Sequence, residues 1–182
     1  VESNPGNAIY HEEMGRRYRD LKNFDQALAQ YSRVIEINPN AWSAYYLRGD
    51  IYLALNRYDE AIQRSKRATE INPGYYWGWV NLGRSYSGAG HDASAVEALQ
   101  AAIEIDSERA EAYYYLGQAY LAQGQFEESL EPYREAISLN RRYTVAYVGL
   151  GQAYLGLEDC ASATEQFRLA LAVSPNDTAA RE

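Results

Sequence analysis

Cysteine, histidine and basic residues are all scarce in this chain, and each scarcity closes off a class of function. A single cysteine, Cys160, permits no internal disulfide. That sits with a reducing compartment, so the cytoplasm is the favoured location. The only histidines, His11 and His91, are far apart and read as solvated side chains. With no convergent ligand set in sight, no metal is expected. Seventeen Lys and Arg stand against 25 Asp and Glu, a net charge of −8. Binding phosphates needs a basic face, so neither nucleic acid nor an anionic membrane surface is expected as a partner. No run of about 18 apolar residues occurs, which argues against membrane insertion.

Catalytic signatures are missing as well. The glycines occur singly and form no phosphate-cradling loop, so no cofactor is expected. Glu12-Glu13, Asp59-Glu60 and Glu127-Glu128 read as first-turn residues complementing helix dipoles, not as paired catalytic carboxylates. Cys160 reads as a small hydrophobe at a helix start. Arg141-Arg142 reads as a solvated turn. No catalytic residue is assigned, and the chain is not expected to be an enzyme.

What is abundant is apolar surface and tyrosine. Hydrophobic residues make up 47% of the chain, far from the composition of a disordered polymer. Tyrosine accounts for 18 positions against three phenylalanines. Its apolar body and polar tip suit thin cores and binding surfaces.

These residues are placed by a strict period. Gly15, Gly49, Gly83, Gly117 and Gly151 are each 34 residues apart. Tyr18, Tyr52, Tyr86, Tyr120 and Tyr154 follow them by three. Ala27, Ala61, Ala95, Ser129 and Ala163 keep the same phase. Within each period, apolar residues recur at helical spacing in two stretches parted by a short break, as at Gln123-Gly124-Gln125. A polar pair then ends the second stretch: Asn38-Pro39, Asn72-Pro73, Asp106-Ser107, Asn140-Arg141 or Ser174-Pro175. Proline cannot continue a helix. Glycine inside a helix costs ~1 kcal/mol against alanine, so five at one phase imply a close helix crossing that needs a small residue.

On these columns the units resemble tetratricopeptide repeats (TPRs). Tyr45, Trp79, Tyr113 and Tyr147 match the family's first aromatic. Met14, Leu82, Leu116 and Leu150 match its leucine. Tyr31, Leu99, Tyr133 and Phe167 match its large residue, and Ala68, Ala102, Ala136 and Ala170 its second alanine. His11, Arg48, Ser65, Val34, Ser107 and Arg141 depart from the pattern. The resemblance implies an all-α fold, a right-handed superhelical α-solenoid of five helix-turn-helix repeats at 8–41, 42–75, 76–109, 110–143 and 144–177. Residues 1–7 then read as the tail of a preceding repeat or a linker, and 178–182 as the start of a further helix. A solenoid needs polar terminal faces, and no polar helix closes this one. The expectation is a segment of a longer protein, or a last helix covered by another chain, with Phe167, Ala170 and Leu171 near an uncovered end.

The resemblance also implies a concave groove lined by the second, fifth, ninth, twelfth and thirteenth positions of each unit. Those positions share a face away from the glycine and tyrosine columns. The first repeat offers Ile9, Glu12, Arg16, Arg19 and Asp20; the second Ser43, Tyr46, Asp50, Leu53 and Ala54. The third offers Trp77, Val80, Arg84, Ser87 and Gly88; the fourth Glu111, Tyr114, Gln118, Leu121 and Ala122. The fifth offers Val145, Val148, Gln152, Leu155 and Gly156. From these we take Arg16, Arg19, Tyr46, Asp50, Trp77, Val80, Arg84, Tyr114, Gln118, Leu121, Val148 and Gln152 as candidate peptide contacts. The strip runs from charged in the first repeat to apolar in the last two, and aromatics and arginine are the types that anchor interfaces.

Two specialised grooves of the family find no match. The basic clamp for acidic C-terminal tails meets at most one fitting residue in any register. An asparagine ladder would need Asn at the sixth position, where Glu13, Leu47, Asn81, Tyr115 and Gly149 stand. The expected function is a scaffold binding a peptide segment or helix of another protein. The alternatives are self-association through the uncapped last helix, as a structural array, or service as the recruiting module of a larger enzyme.

Overall fold

The computed structural model describes residues 7–175, and every regular element among them is an α-helix. The ten helices are α1 (Ala8–Asp20), α2 (Phe24–Ile37), α3 (Trp42–Ala54), α4 (Tyr58–Ile71), α5 (Tyr76–Gly88), α6 (Asp92–Ile105), α7 (Ala110–Ala122), α8 (Phe126–Leu139), α9 (Thr144–Gly156) and α10 (Cys160–Val173). Helices of 13 and 14 residues alternate. Such lengths are marginal alone in water, so their stability comes from packing. The expectations for residues 1–6 and 178–182 lie outside the described residues.

The chain forms two compact units that meet at Ala89 and Gly90. In the first, α1 packs on α2, α2 on α3, α3 on α4 and α4 on α5. The first helices of adjacent repeats, α3 and α5, also touch. The second unit repeats this from α6 to α10, with α7 touching α9. The result is an all-α array of stacked helical hairpins.

The period has a structural cause at each column. A Cβ at Gly15 would sit 2.5 Å from the Tyr31 ring, and one at Gly151 2.6 Å from the Phe167 ring. Both glycines therefore let a ring of the second helix press on the first. Ala27, Ala61, Ala95, Ser129 and Ala163 are buried. The first helices of four hairpins close in one manner. At the first, Asn23 N–H donates to the Tyr18 carbonyl at 2.8 Å and Lys22 N–H to the Arg19 carbonyl at 2.8 Å, the paired bonds of a Schellman motif. The same bond to the tyrosine carbonyl recurs from Arg57 to Tyr52, Gln125 to Tyr120 and Asp159 to Tyr154. The turn residues Lys22, Asn56, Gly90, Gly124 and Glu158 all have φ between 55° and 75°. The sequence hides this column because only two of the five are glycine. The second helices end at Asn38, Asn72, Asp106, Asn140 and Ser174. There Asn38, Asp106 and Asn140 carboxyl or amide oxygens accept the N–H two residues on.

Several expectations change. His11 is not solvated; it is buried, with Nδ1 2.7 Å from Gln30 Oε1. Glu12 and Glu13 lie beyond the first turn of α1, which holds no acidic residue. Asp59-Glu60 and Glu127-Glu128 do lie in first turns. Ala170 is fully buried and Phe167 and Leu171 half-buried, in one cluster with Tyr147 and Val148. They pack toward α9. Cys160 is exposed at the first position of α10.

Candidate functional site

Several twelfth and thirteenth positions of the repeats are engaged by neighbouring helices, while Leu155 stays exposed. Leu53 is buried beside Leu28 and Tyr58. A Cβ at Gly88 would collide with the ring of Tyr58, and one at Gly156 with that of Phe126. These positions receive an aromatic from the preceding second helix. Leu121 likewise packs on the cluster around Tyr133 and Ala136. Val80 has no exposed surface, so it acts in packing and offers nothing to a ligand. Of the candidate contacts, Arg16, Arg19, Tyr46, Asp50, Trp77, Arg84, Tyr114, Gln118, Val148 and Gln152 remain.

In the second unit these positions converge. Tyr114 and Gln118 of α7 and Val145, Val148 and Gln152 of α9 line one cleft of ≈ 200 Å³, together with Tyr133 of α8 and Gly149 of α9. Four of the candidate contacts, Tyr114, Gln118, Val148 and Gln152, thus come together. Val148 is mostly buried and contributes an edge. Tyr114 is held by its neighbours: its ring centroid lies 5.2 Å from that of Tyr143 and 6.1 Å from that of Tyr133.

Tyr133 forms the floor. Its ring passes between two glycines, since a Cβ at Gly117 would lie 2.8 Å from its Cε1 and one at Gly149 2.5 Å from its Cζ. Any larger residue at either place would have to displace it. The side chain is fully buried, and its hydroxyl has no hydrogen-bond partner. Burial raises its pKa, with a smaller contribution from Tyr114, so the phenol stays protonated. In the sequence, Tyr133 stands out only as a large packing residue and Gly149 only as a missing asparagine. The available signal was Gly149 itself, a second helix-weakening residue two places before the invariant Gly151.

In the first unit the other candidates are already engaged. Arg16 Nη2 donates to Glu12 Oε1 at 2.8 Å, and this bond raises the arginine's pKa. Ser43 Oγ donates to Glu12 Oε2 at 3.2 Å. Arg19 reaches Asp20 at 3.3 Å and Asp50 at 4.0 Å. Tyr46 packs edge-on against Tyr75 at 5.1 Å, and desolvation followed by the Asp50 charge raises its pKa. Trp77 lies edge-on to Tyr76 at 5.1 Å. Arg84 donates to Asn81 Oδ1 at 3.4 Å. Among the described residues, no three His, Cys, Asp or Glu side chains are grouped to hold a metal, and no helix is long and apolar enough to cross a membrane.

Stacked two-helix hairpins at a fixed period define a helical repeat protein, and comparison with known proteins makes the class specific. Tetratricopeptide repeat models match residues 12–76, 80–144 and 145–177. The chain belongs to the tetratricopeptide repeat family, whose members generally serve as scaffolds without chemistry of their own. No curated protein matches it by sequence. Among solved structures, a MamA protein is similar at 26% identity over 92% of each chain, with a TM-score of 0.82. MamA from Desulfovibrio magneticus RS-1, from residue 41 onward, superposes with a TM-score of 0.85 at 19% identity over 98% of this chain and 99% of that one. YrrB, a TPR protein with an unusual peptide-binding site, does so at 0.79 and 23% identity, over 100% of this chain and 93% of its own. The last two likenesses are of fold.

Proposed function

We propose that this protein is an interaction scaffold that binds a peptide segment or helix of a partner protein along the face made by the first helices of its repeats. The anchor point is the cleft between α7 and α9. The observation that carries this reading is the convergence of Tyr114, Gln118, Val148 and Gln152 on one concavity. A concave, largely preformed site with apolar walls and a few polar groups is the usual form of a ligand site. The peptide-binding site named for YrrB supports the same use of this fold. In the first unit, the candidate contacts are Arg16, Arg19, Tyr46, Asp50, Trp77 and Arg84, a more polar set. Because Arg16 and Arg19 already hold carboxylates, an acidic ligand group would have to compete with Glu12 and Asp50. Residues 8–41, 42–75, 76–109, 110–143 and 144–177 are the proposed binding modules.

Peptides selected from a displayed library on the purified chain test the idea. Tyr114→Ala should weaken the selected peptides by ~1–3 kcal/mol, as truncating an aromatic anchor does. Affinity unchanged in both Tyr114→Ala and Trp77→Ala would remove the groove as the site.

A further inference from the structure

The floor of the α7–α9 cleft carries a feature that packing does not account for. The Tyr133 hydroxyl is buried and meets no protein partner, and Tyr133 is one of the residues lining the cavity. A buried polar group left unmet is unfavourable; the Tyr31 hydroxyl is unmet too, but Leu47 joins the core cluster there, whereas beside Tyr133 a cavity leaves room for a partner group to enter. At ≈ 200 Å³ the cavity holds roughly seven waters' worth of space at ~30 Å³ each. That suits one side chain and is small for a separate organic ligand.

The lining chooses among side chains. No residue around the cleft is charged, so a buried carboxylate or ammonium would lose hydration with no counter-charge in return. A purely apolar side chain would seal the Tyr133 hydroxyl with nothing to bond. The mouth carries two carboxamides, Gln118 and Gln152, both exposed and able to change rotamer on ligand entry. A phenol and two carboxamides offer donors and acceptors together. Their complement is a group that also has both on a short apolar stem, and Val145 and Tyr114 supply walls for that stem.

We infer that the cleft is a specificity pocket for a glutamine or asparagine side chain of the bound peptide, with the Tyr133 hydroxyl as the buried group that reads its carboxamide. This rests on the peptide-scaffold reading above and adds the residue class that the scaffold selects.

Peptide pools with one central position fixed in turn to each amino acid, and random flanks, are tested for retention on the full chain. The Gln and Asn pools should be retained about tenfold better than the Leu and Glu pools, the effect of one buried hydrogen bond of ~1.4 kcal/mol. Tyr133→Phe keeps the ring between the two glycines and should erase that preference while leaving overall retention of the random flanks. Gln118→Leu with Gln152→Leu should shift the preference toward apolar pools. A preference for Leu or Glu, or a Gln preference that survives Tyr133→Phe, overturns the pocket and leaves the scaffold standing. If no pool is retained, both fall. If only the chain itself is retained by an immobilised copy, the occupant is a second copy and the carboxamide pocket is wrong.

Discussion

Shifted by three periods, the cleft of the second unit has a counterpart in the first, and the two are built in opposite ways. Tyr114 and Gln118 become Glu12 and Arg16; Val145, Val148, Gly149 and Gln152 become Ser43, Tyr46, Leu47 and Asp50. Tyr133 alone is kept, as Tyr31. Around Tyr31 side chains take up the equivalent positions: Leu47 joins its core cluster, and Glu12 ties Arg16 to Ser43. Over Tyr133 there is a glycine, two amides and an open cleft. The same backbone thus carries a sealed version and an open version of one site. The residue at the sixth position of the following repeat separates them. Leucine there fills the space above the ring; glycine leaves it.

That contrast can be broken from either side. Leu47→Gly should be the most damaging exchange, costing ~4 kcal/mol, from a cavity in the core plus a glycine inside a helix. A drop in melting temperature of roughly 8–16 °C should follow at this chain length, and a loss under 1 kcal/mol by denaturant titration would show that Leu47 is not what seals the first unit. The reciprocal Gly149→Leu should cost ~1–3 kcal/mol, because the new side chain meets a ring its own Cβ already overlaps. It should also abolish retention of the selected peptides in the binding assay.

The two buried phenols sharpen the comparison. Both the Tyr31 and Tyr133 hydroxyls lack partners, and burial pushes the Tyr31 pKa up to about 12. Tyr31→Phe and Tyr133→Phe should each leave stability unchanged or raise it by up to ~1 kcal/mol, measured by urea titration. Only Tyr133→Phe should alter peptide preference. The smallest effect is expected from Glu12→Gln, which removes an exposed i,i+4 pair. It should cost ~0.3–0.5 kcal/mol at low salt and less at 1 M, with no change in the second unit's binding.

Much of this was legible beforehand. The glycine, tyrosine and alanine columns mark helix crossings because close approach tolerates few residue types, so a local rule repeats visibly. The polar pairs at Asn38, Asn72 and Asn140 announce helix ends for the same reason: the capping chemistry is local. The left-handed turn column was invisible, because Lys22 and Glu158 are held in that conformation by the surrounding bonds and not by their own preference. His11 was misjudged because its partner Gln30 lies on the next helix. Positions along one helix face can be listed from geometry, but Leu53, Leu121, Gly88 and Gly156 are claimed by neighbouring helices whose positions a single-helix argument does not contain.

The amino-acid order alone determined the repeat length, the helical hairpins and the family, because each follows from contacts a few residues apart renewed every 34 positions. Tertiary packing decided which equivalent face is shut and which is open. That outcome depends on whether a side chain from α3 or α9 lies over a tyrosine from the preceding hairpin, a matter of volume meeting volume between segments that the linear pattern treats as alike.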